Sequence, residues 1–374
     1  MIRDDDAPIL LTPGPLTTSR TVREAMLRDW GSRDPAFIEM NRRVRDRLAA
    51  LVAAGDTHAC VPVQGSGTFA VEAVIGTFVP RDGKLLVLVN GEYGRRIVRI
   101  AEILGRAHAV LETDEDTPPS GGEVASALEG DPAITHVALV HCETTSGILN
   151  PLGEIAAAVA RAGRELIVDA MSSFGILPID ARAHRFVAVA ASSNKALEGV
   201  PGMGFAIARR EALAASAGNA PSLSLDLADQ HRAMEGNGQW RFTPPTHVMA
   251  ALDRALDELE EEGGPEARLA RYRANCRALV DGMRALGFRT FLSDNLQTPT
   301  IVTFHMPGDP NFAFARFYEL MGARGFVIYP GKLTRRDSFR IGCMGRIDAD
   351  DLRRAVAAVK ECLVAMKVRS GAPA

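Results

Sequence analysis

The sequence predicts an α/β fold: a mostly parallel, doubly wound sheet in a large domain, followed by a smaller α/β C-terminal domain. Three observations carry this. Strand-like runs alternate with helical patterns over most of the chain, the arrangement that builds parallel sheets from βαβ units. The runs are near-continuous Val, Ile, Leu and Ala rather than strictly alternating, as in strands covered on both faces. The 374 residues, 47% of them hydrophobic, are enough for one large core and a second, smaller one.

Taken in order, QGSGT is a short turn leading into the helical stretch TFAVEAVIGTF. KLLVLVN is a buried strand, followed by the Arg-rich helix YGRRIVRIAEILG. HVALVHC is the next strand and EIAAAVARAG the next helix; RELIVDA, FVAVAASS and MGFAIAR are further strands. THVMAALDRALDELEEEGG is a long amphipathic helix stopped by two glycines. The composition then changes. GPEARLARYRANCRALVDGMRALG begins with proline and ends with glycine, a helix by its punctuation. TPTIVTFHM, a helix near FAFARFYELMGARG, FVIYPGK and DSFRIGCMG complete the smaller unit. The division expected is 1–261 for the large domain with its N-terminal segment and 262–374 for the small one.

Bulk properties exclude several classes. A net charge of −3 offers no basic field for nucleic acid or an anionic membrane. Five cysteines without a CxxC spacing favour neither a disulfide framework nor a zinc site; no metal is expected. The acidic start MIRDDD is unlike a signal peptide, no run nears the roughly 20 apolar residues that cross a bilayer, and a reducing cytoplasm is the simplest compartment.

Four candidate site elements sit at carboxyl ends of strands, where ligands bind in such sheets. In QGSGT, Ser66, Gly67 and Thr68 offer backbone N–H groups and hydroxyls to a phosphate at a helix start; the same turn also serves simply to join strand to helix. Gly65, Gly67 and Ala70 also fit G-x-G-x-x-A, a dinucleotide fingerprint, but the next strand ends in Asn90 where that reading wants an acid. Asp169 closes the run RELIVD. A buried carboxylate needs a partner, and a protonated pyridine nitrogen would suit; an N-cap is the plainer role. Lys195 follows FVAVAASSN, 26 residues on from Asp169 (195 − 169). A desolvated lysine is an amine nucleophile, a solvated one is ordinary surface. Arg340, in DSFRIGCMG, has the fork to grip a carboxylate, or to make a strand-end ion pair. Tyr93 could stack on an aromatic ring or simply pack; Thr144 could donate to a ring hydroxyl or close a turn. His141 and His247 lack metal-ligand spacing and are taken as structural. An anion cradle, an acid and a lysine in this order suggest pyridoxal phosphate, which needs amides for its phosphate, a carboxylate for its ring nitrogen and an amine for its aldehyde.

LLTPGPLTTSRTVREAML, QGSGTFAVEAV, HCETTSGILNP, VDAMSSFG, SSNKALEGVPG, QWRFTPPTH, GFVIYPGK and FRIG together resemble the class V, fold type I aminotransferases, in particular their phosphonate branch. The matches run from Leu10 to about Gly345. The resemblance implies pyridoxal 5'-phosphate as cofactor and transfer of the amino group of 2-aminoethylphosphonate to pyruvate, with an alanine–glyoxylate or serine–pyruvate transaminase, or the phosphonate-synthesis direction, as the alternative. It makes Lys195 the lysine that bonds the cofactor and Asp169 the partner of its ring nitrogen. Ser66, Gly67 and Thr68 hold the phosphate, with Asn194 beside it. Tyr93 stacks on the ring, and Thr144 lies near the ring hydroxyl. Trp240 and Thr243 match a segment that reaches a neighbouring subunit's phosphate, implying a homodimer with shared sites. Arg340 matches the arginine for the substrate anion. In DWGSRDPAFIEMN, Arg33 and Ile38 depart from the catabolic pattern, and GSRD is similar to related transaminases, including those of phosphonate synthesis; the charge of Arg33 suits a phosphonate.

Overall fold

The structure, a computed structural model, describes residues 7–333 and 336–373; the acidic start Met1–Asp6 lies outside the described residues. Seven strands form the main sheet. From one edge the order is His58–Gln64, Met203–Arg209, Ala188–Ser192, Glu165–Asp169, Ile134–Val140, Lys84–Val89 and Ala107–Glu112. Met203–Arg209 runs antiparallel to both its neighbours; the other pairings are parallel.

Helices cover both faces, which is why the strands carry continuous apolar runs. On one face Pro35–Ala50, Gly121–Gly130, Leu152–Arg161 and Thr246–Glu261 supply Phe37, Val44, Leu128, Ile155, Leu252 and Leu256 to one core. On the other, Gly67–Phe78 and Glu92–Ile103 supply Val71, Val74, Phe78, Ile97 and Ile100 to a second. Fully burying one such side chain stabilises by about 1.5–3 kcal/mol.

The C-terminal part has its own three-stranded antiparallel sheet, ordered Ile301–His305, Ser338–Gly342, Tyr329–Pro330. Helices Gly264–Ala285, Phe314–Gly322 and Ala349–Ala365 surround it. A third core collects here, with Phe304 stacked on Phe339 at 5.6 Å between ring centres. Ala349–Ala365 starts with a reciprocal cap between Asp348 and Asp351. The N-terminal segment belongs to this core too. Ile9–Leu10 pairs in parallel with Phe326–Val327, and Leu11 is fully buried there. The segment then crosses to the end of the large sheet.

Two strands of the main sheet were not named from the sequence. His58–Gln64 was seen only as an apolar stretch. Ala107–Glu112 is an edge strand with mixed exposure, so it lacks the apolar run that marks the others. FVIYPGK, expected as one strand, is two two-residue pieces, Phe326–Val327 in one sheet and Tyr329–Pro330 in another. Among the described residues no helix is long and apolar enough to cross a membrane, no group of three or more potential ligands could hold a metal, and all five cysteines are buried free thiols.

Candidate active site

A cavity of about 230 Å³ opens at the carboxyl ends of the central strands. Ser66, Gly67, Thr68, Tyr93, Thr144, Asp169, Asn194 and Lys195 all line it. The sequence placed all of these but Tyr93, which begins the helix YGRRIVRIAEILG, on four separate loops; the sheet brings them together because its parallel strands end on one edge. Ligand sites commonly occupy about 300–1,000 Å³, so this one suits a single ring with short arms rather than a dinucleotide. Asn90 is buried and bonded to the Asn150 amide at 2.8 Å, which leaves no acid for a ribose.

Ser66 is the N-cap of the helix Gly67–Phe78 and makes no side-chain capping bond. Its first turn therefore offers N–H groups that lack intrahelical acceptors, at the positive end of the helix dipole. Arg96, three residues beyond Tyr93 and on the same helix face, donates from Nη1 to Thr68 Oγ1 at 3.2 Å and lies over the Tyr93 ring at 4.7 Å.

Asp169 ends its strand and turns back locally. Its Oδ1 accepts the Met171 N–H at 3.0 Å, an Asx turn rather than a helix cap. Burial pushes its carboxyl up to about 6, and the nearby Glu143 adds to this; the Met171 N–H, Arg96 and Lys195 pull the other way. Ser192 Oγ, also on the cavity wall, is buried without a protein partner. A carboxyl held up by burial and an orphaned hydroxyl are what a polar ring placed between them would satisfy.

Lys195 is not a solvated surface lysine. Its Nζ donates to the Pro13 carbonyl at 2.5 Å, and burial, aided by Arg340 and Lys332, lowers its pKa against the opposing pull of Tyr93 and Asp169. Gly14 explains how the N-terminal segment comes so near. A Cβ there would sit 2.5 Å from Nζ, and the backbone has φ +127°, so only glycine fits.

Tyr93 is fixed by a buried acid. Glu143, fully buried, accepts the Tyr93 and Gly94 N–H groups at 3.2 Å and that of Thr145 at 2.9 Å. Burial would raise the Tyr93 hydroxyl pKa, but Lys195, Lys332, a bond to Thr144 and Arg340 together bring it below the usual value.

Arg340 is 1% exposed and lies against Tyr93 rather than on the cavity wall. Among the described residues no aspartate pairs with it: Nη1 donates to the Thr144 carbonyl at 2.9 Å and Nε to the Pro330 carbonyl at 3.1 Å. Trp240 and Thr243 line a different cavity, with Gln64, Gly65 and Phe69, behind the phosphate-type loop; Trp240 Nε1 donates to Asn41 at 3.1 Å. Arg33 lies in an exposed turn just before Pro35–Ala50 and lines neither cavity. His141 is buried against Ser173 Oγ at 3.0 Å, and burial lowers it to about 4, a neutral structural group. Sequence reasoning gave no role to Arg96, Glu143, Ser192, Lys332 or the Pro13–Gly14 strap. Arg96 alone had a local signal, its i+3 spacing from Tyr93.

A family model described as class V aminotransferase matches residues 22–323. The chain is 58% identical over 363 residues to the 2-aminoethylphosphonate–pyruvate transaminase of Pseudomonas putida, an alignment covering 97% of this chain and 99% of that protein. It is also 58% identical over 362 residues to the enzyme of that name from Pseudomonas aeruginosa, covering 97% and 98%. Among solved structures, pyridoxamine–pyruvate aminotransferase from Mesorhizobium loti superposes with a TM-score of 0.88 at 26% identity, covering 99% of this chain and 96% of that one.

Proposed function

Because this chain belongs to the class V aminotransferase family, we propose that it transfers the amino group of 2-aminoethylphosphonate to pyruvate, giving phosphonoacetaldehyde and L-alanine. The relatives of that name, 58% identical over nearly the whole chain, support this donor over those of the other family members. The observation that carries the chemistry is the convergence of an open helix start, a buried acid and a lysine amine on one cavity. The family depends in general on pyridoxal phosphate, and these residues fit it. When bound, that group supplies an aldehyde for the donor nitrogen and a cationic ring that draws electrons from the adjacent carbon.

The chain's own residues do the rest. Ser66, Gly67 and Thr68 take the phosphate on free N–H groups, with Asn194 alongside. Asp169 holds a proton on the ring nitrogen by remaining anionic next to it; the gain of a cationic partner offsets the burial that otherwise raises its pKa. Tyr93 and Thr144 line the cavity, where Tyr93 would cover the ring and Thr144 would serve its hydroxyl. Lys195 Nζ, with a pKa lowered by burial, would take the proton from the donor carbon and give it back to the carbon on the far side of the donor nitrogen, acting as base and then acid. Arg340, locked by two backbone carbonyls, presents its remaining donors to the substrate anion.

Trp240 and Thr243 lie outside their own chain's cofactor cavity, the placement needed if they serve a neighbour; we read the working unit as a homodimer with shared sites. Arg33, on the exposed turn, is assigned to the same outer approach. Residues 262–374, joined by the N-terminal strand Ile9–Leu10, are read as the smaller domain, and the cytoplasm as the compartment. The test is a coupled assay: purified protein with cofactor, 2-aminoethylphosphonate and pyruvate should form alanine. Alanine formation with serine or another carboxylated donor but not with the phosphonate would replace this donor.

A further inference from the structure

Four cations surround the Tyr93 side chain. Arg96 lies over its ring at 4.7 Å and the Lys332 ammonium at 5.1 Å. Arg340 contacts its hydroxyl, and Lys195 is near enough to perturb it. Three of the four have partners. Arg96 is tied to Thr68 at the phosphate loop, Lys195 to the Pro13 carbonyl, and Arg340 to the Thr144 and Pro330 carbonyls. Lys332 is half-buried and touches the ring face, with no hydrogen bond or carboxylate partner among the described residues. An ammonium has three donors to give.

The two acids nearby do not balance this charge. Asp169 faces the cofactor cavity, and Glu143 is consumed by three backbone N–H groups. The topology sets Lys332 beside Arg340: Tyr329 pairs with Arg340 in the small sheet, and Lys332 follows two residues after Pro330. A carboxylate is a monoanion that one arginine edge can satisfy. A phosphonate carries a second charge and a third oxygen, and with Nε and Nη1 of Arg340 already committed, the second charge calls for a second cation.

We propose that Lys332 and Arg340 together form a dianion clamp for the phosphonate end of the amino donor, and that Lys332 sets the preference for phosphonate over carboxylate. This rests on the reading of 2-aminoethylphosphonate as the donor. Lys332 is a binding residue here, with no part in proton transfer.

The test is calorimetric binding to the holoenzyme of ethylphosphonate and propionate, unreactive mimics of the two anion classes, under mildly alkaline conditions. In Lys332→Met, ethylphosphonate should bind about tenfold to hundredfold more weakly, the range of one charge-assisted contact, while propionate changes much less. Lys332→Arg should restore most of the ethylphosphonate affinity. Equal weakening of both ligands, or of neither, would overturn the proposal. Turnover of the unaltered enzyme with 2-aminoethylphosphonate and pyruvate separates the two readings. If it fails while ethylphosphonate binding still depends selectively on Lys332, the clamp stands and the donor falls; if it succeeds and that selectivity is absent, the reverse holds.

Discussion

Replacing Glu198 with alanine removes the anion at the centre of a buried network that ties the Lys195 turn to the C-terminal part. Glu198 is 2% exposed and Arg268 fully buried. Glu198 Oε1 takes Arg271 Nη2 at 2.8 Å and the Tyr272 hydroxyl at 2.5 Å, and its Oε2 lies 3.8 Å from Arg268 Nη1. Around it, Glu198 N–H donates to the Lys195 carbonyl, Arg268 to the Ala196 carbonyl, and Arg271 to those of Gly345 and Ile347. Removing one partner of a buried ion pair costs about 3–5 kcal/mol. Glu262 remains 2.7 Å from both arginines, which puts the loss at the low end, about 3 kcal/mol. Unfolding entropy of about 2.1 cal/mol/K per residue over the 374-residue chain gives about 0.8 kcal/mol per degree, so the melting temperature should fall by about 4 °C. Glu198 also has φ +61°, a left-handed conformation that costs a residue with a Cβ about 1–2 kcal/mol. Glu198→Gly should therefore melt slightly higher than Glu198→Ala although both lack the acid. Differential scanning calorimetry of the three proteins checks this. A shift of less than about 1 °C for the alanine variant would show that the arginines are satisfied without Glu198, and the reasoning from buried charge would be wrong.

Further expectations concern the site itself. Asp169, pushed up to about 6 by burial from an unfolded value near 3.9, keeps a proton in the folded cofactor-stripped protein that the unfolded chain gives up. Stability of that form should therefore fall as pH rises from about 4 to about 6, by up to about 3 kcal/mol. Asp169→Asn should abolish that slope; urea titrations showing the same pH dependence in both proteins would refute it. Gly14→Ala puts a Cβ against Nζ of Lys195 and should cut kcat by about a hundredfold, the scale for a misplacement of about 1 Å; an unchanged kcat would mean the N-terminal strap does not position the amine. Lys195→Ala should leave no measurable transamination; a variant that still turns over would move the base to another group.

The sheet was legible because its central strands are covered on both faces and so carry unbroken apolar runs; Lys84–Val89 and Ile134–Val140 show almost no exposure. The edge strand Ala107–Glu112 was not, since half-exposed positions take mixed residues. The convergence of Ser66, Asp169 and Lys195 was legible for the same reason, as parallel strands put their carboxyl ends on one rim. Lys332 and Glu143 were not. One is 239 residues from Tyr93 (332 − 93), and the other is a buried acid in a segment, HCETTSG, that reads as a turn; only tertiary contacts give them meaning. The Pro13–Gly14 strap was recognised as a motif without a reason, which the 2.5 Å approach of Lys195 supplies.

The central claim is that one cavity sets an acid and an amine against a single pyridine ring. A crystal structure of the protein with pyridoxal phosphate tests it directly. The Asp169 carboxylate should lie within hydrogen-bond distance of the ring nitrogen, about 2.6–3.2 Å, with Lys195 Nζ joined to the aldehyde carbon and the phosphate on the Ser66–Thr68 turn. A cofactor bound elsewhere, or with Asp169 out of reach of its nitrogen, would contradict the account.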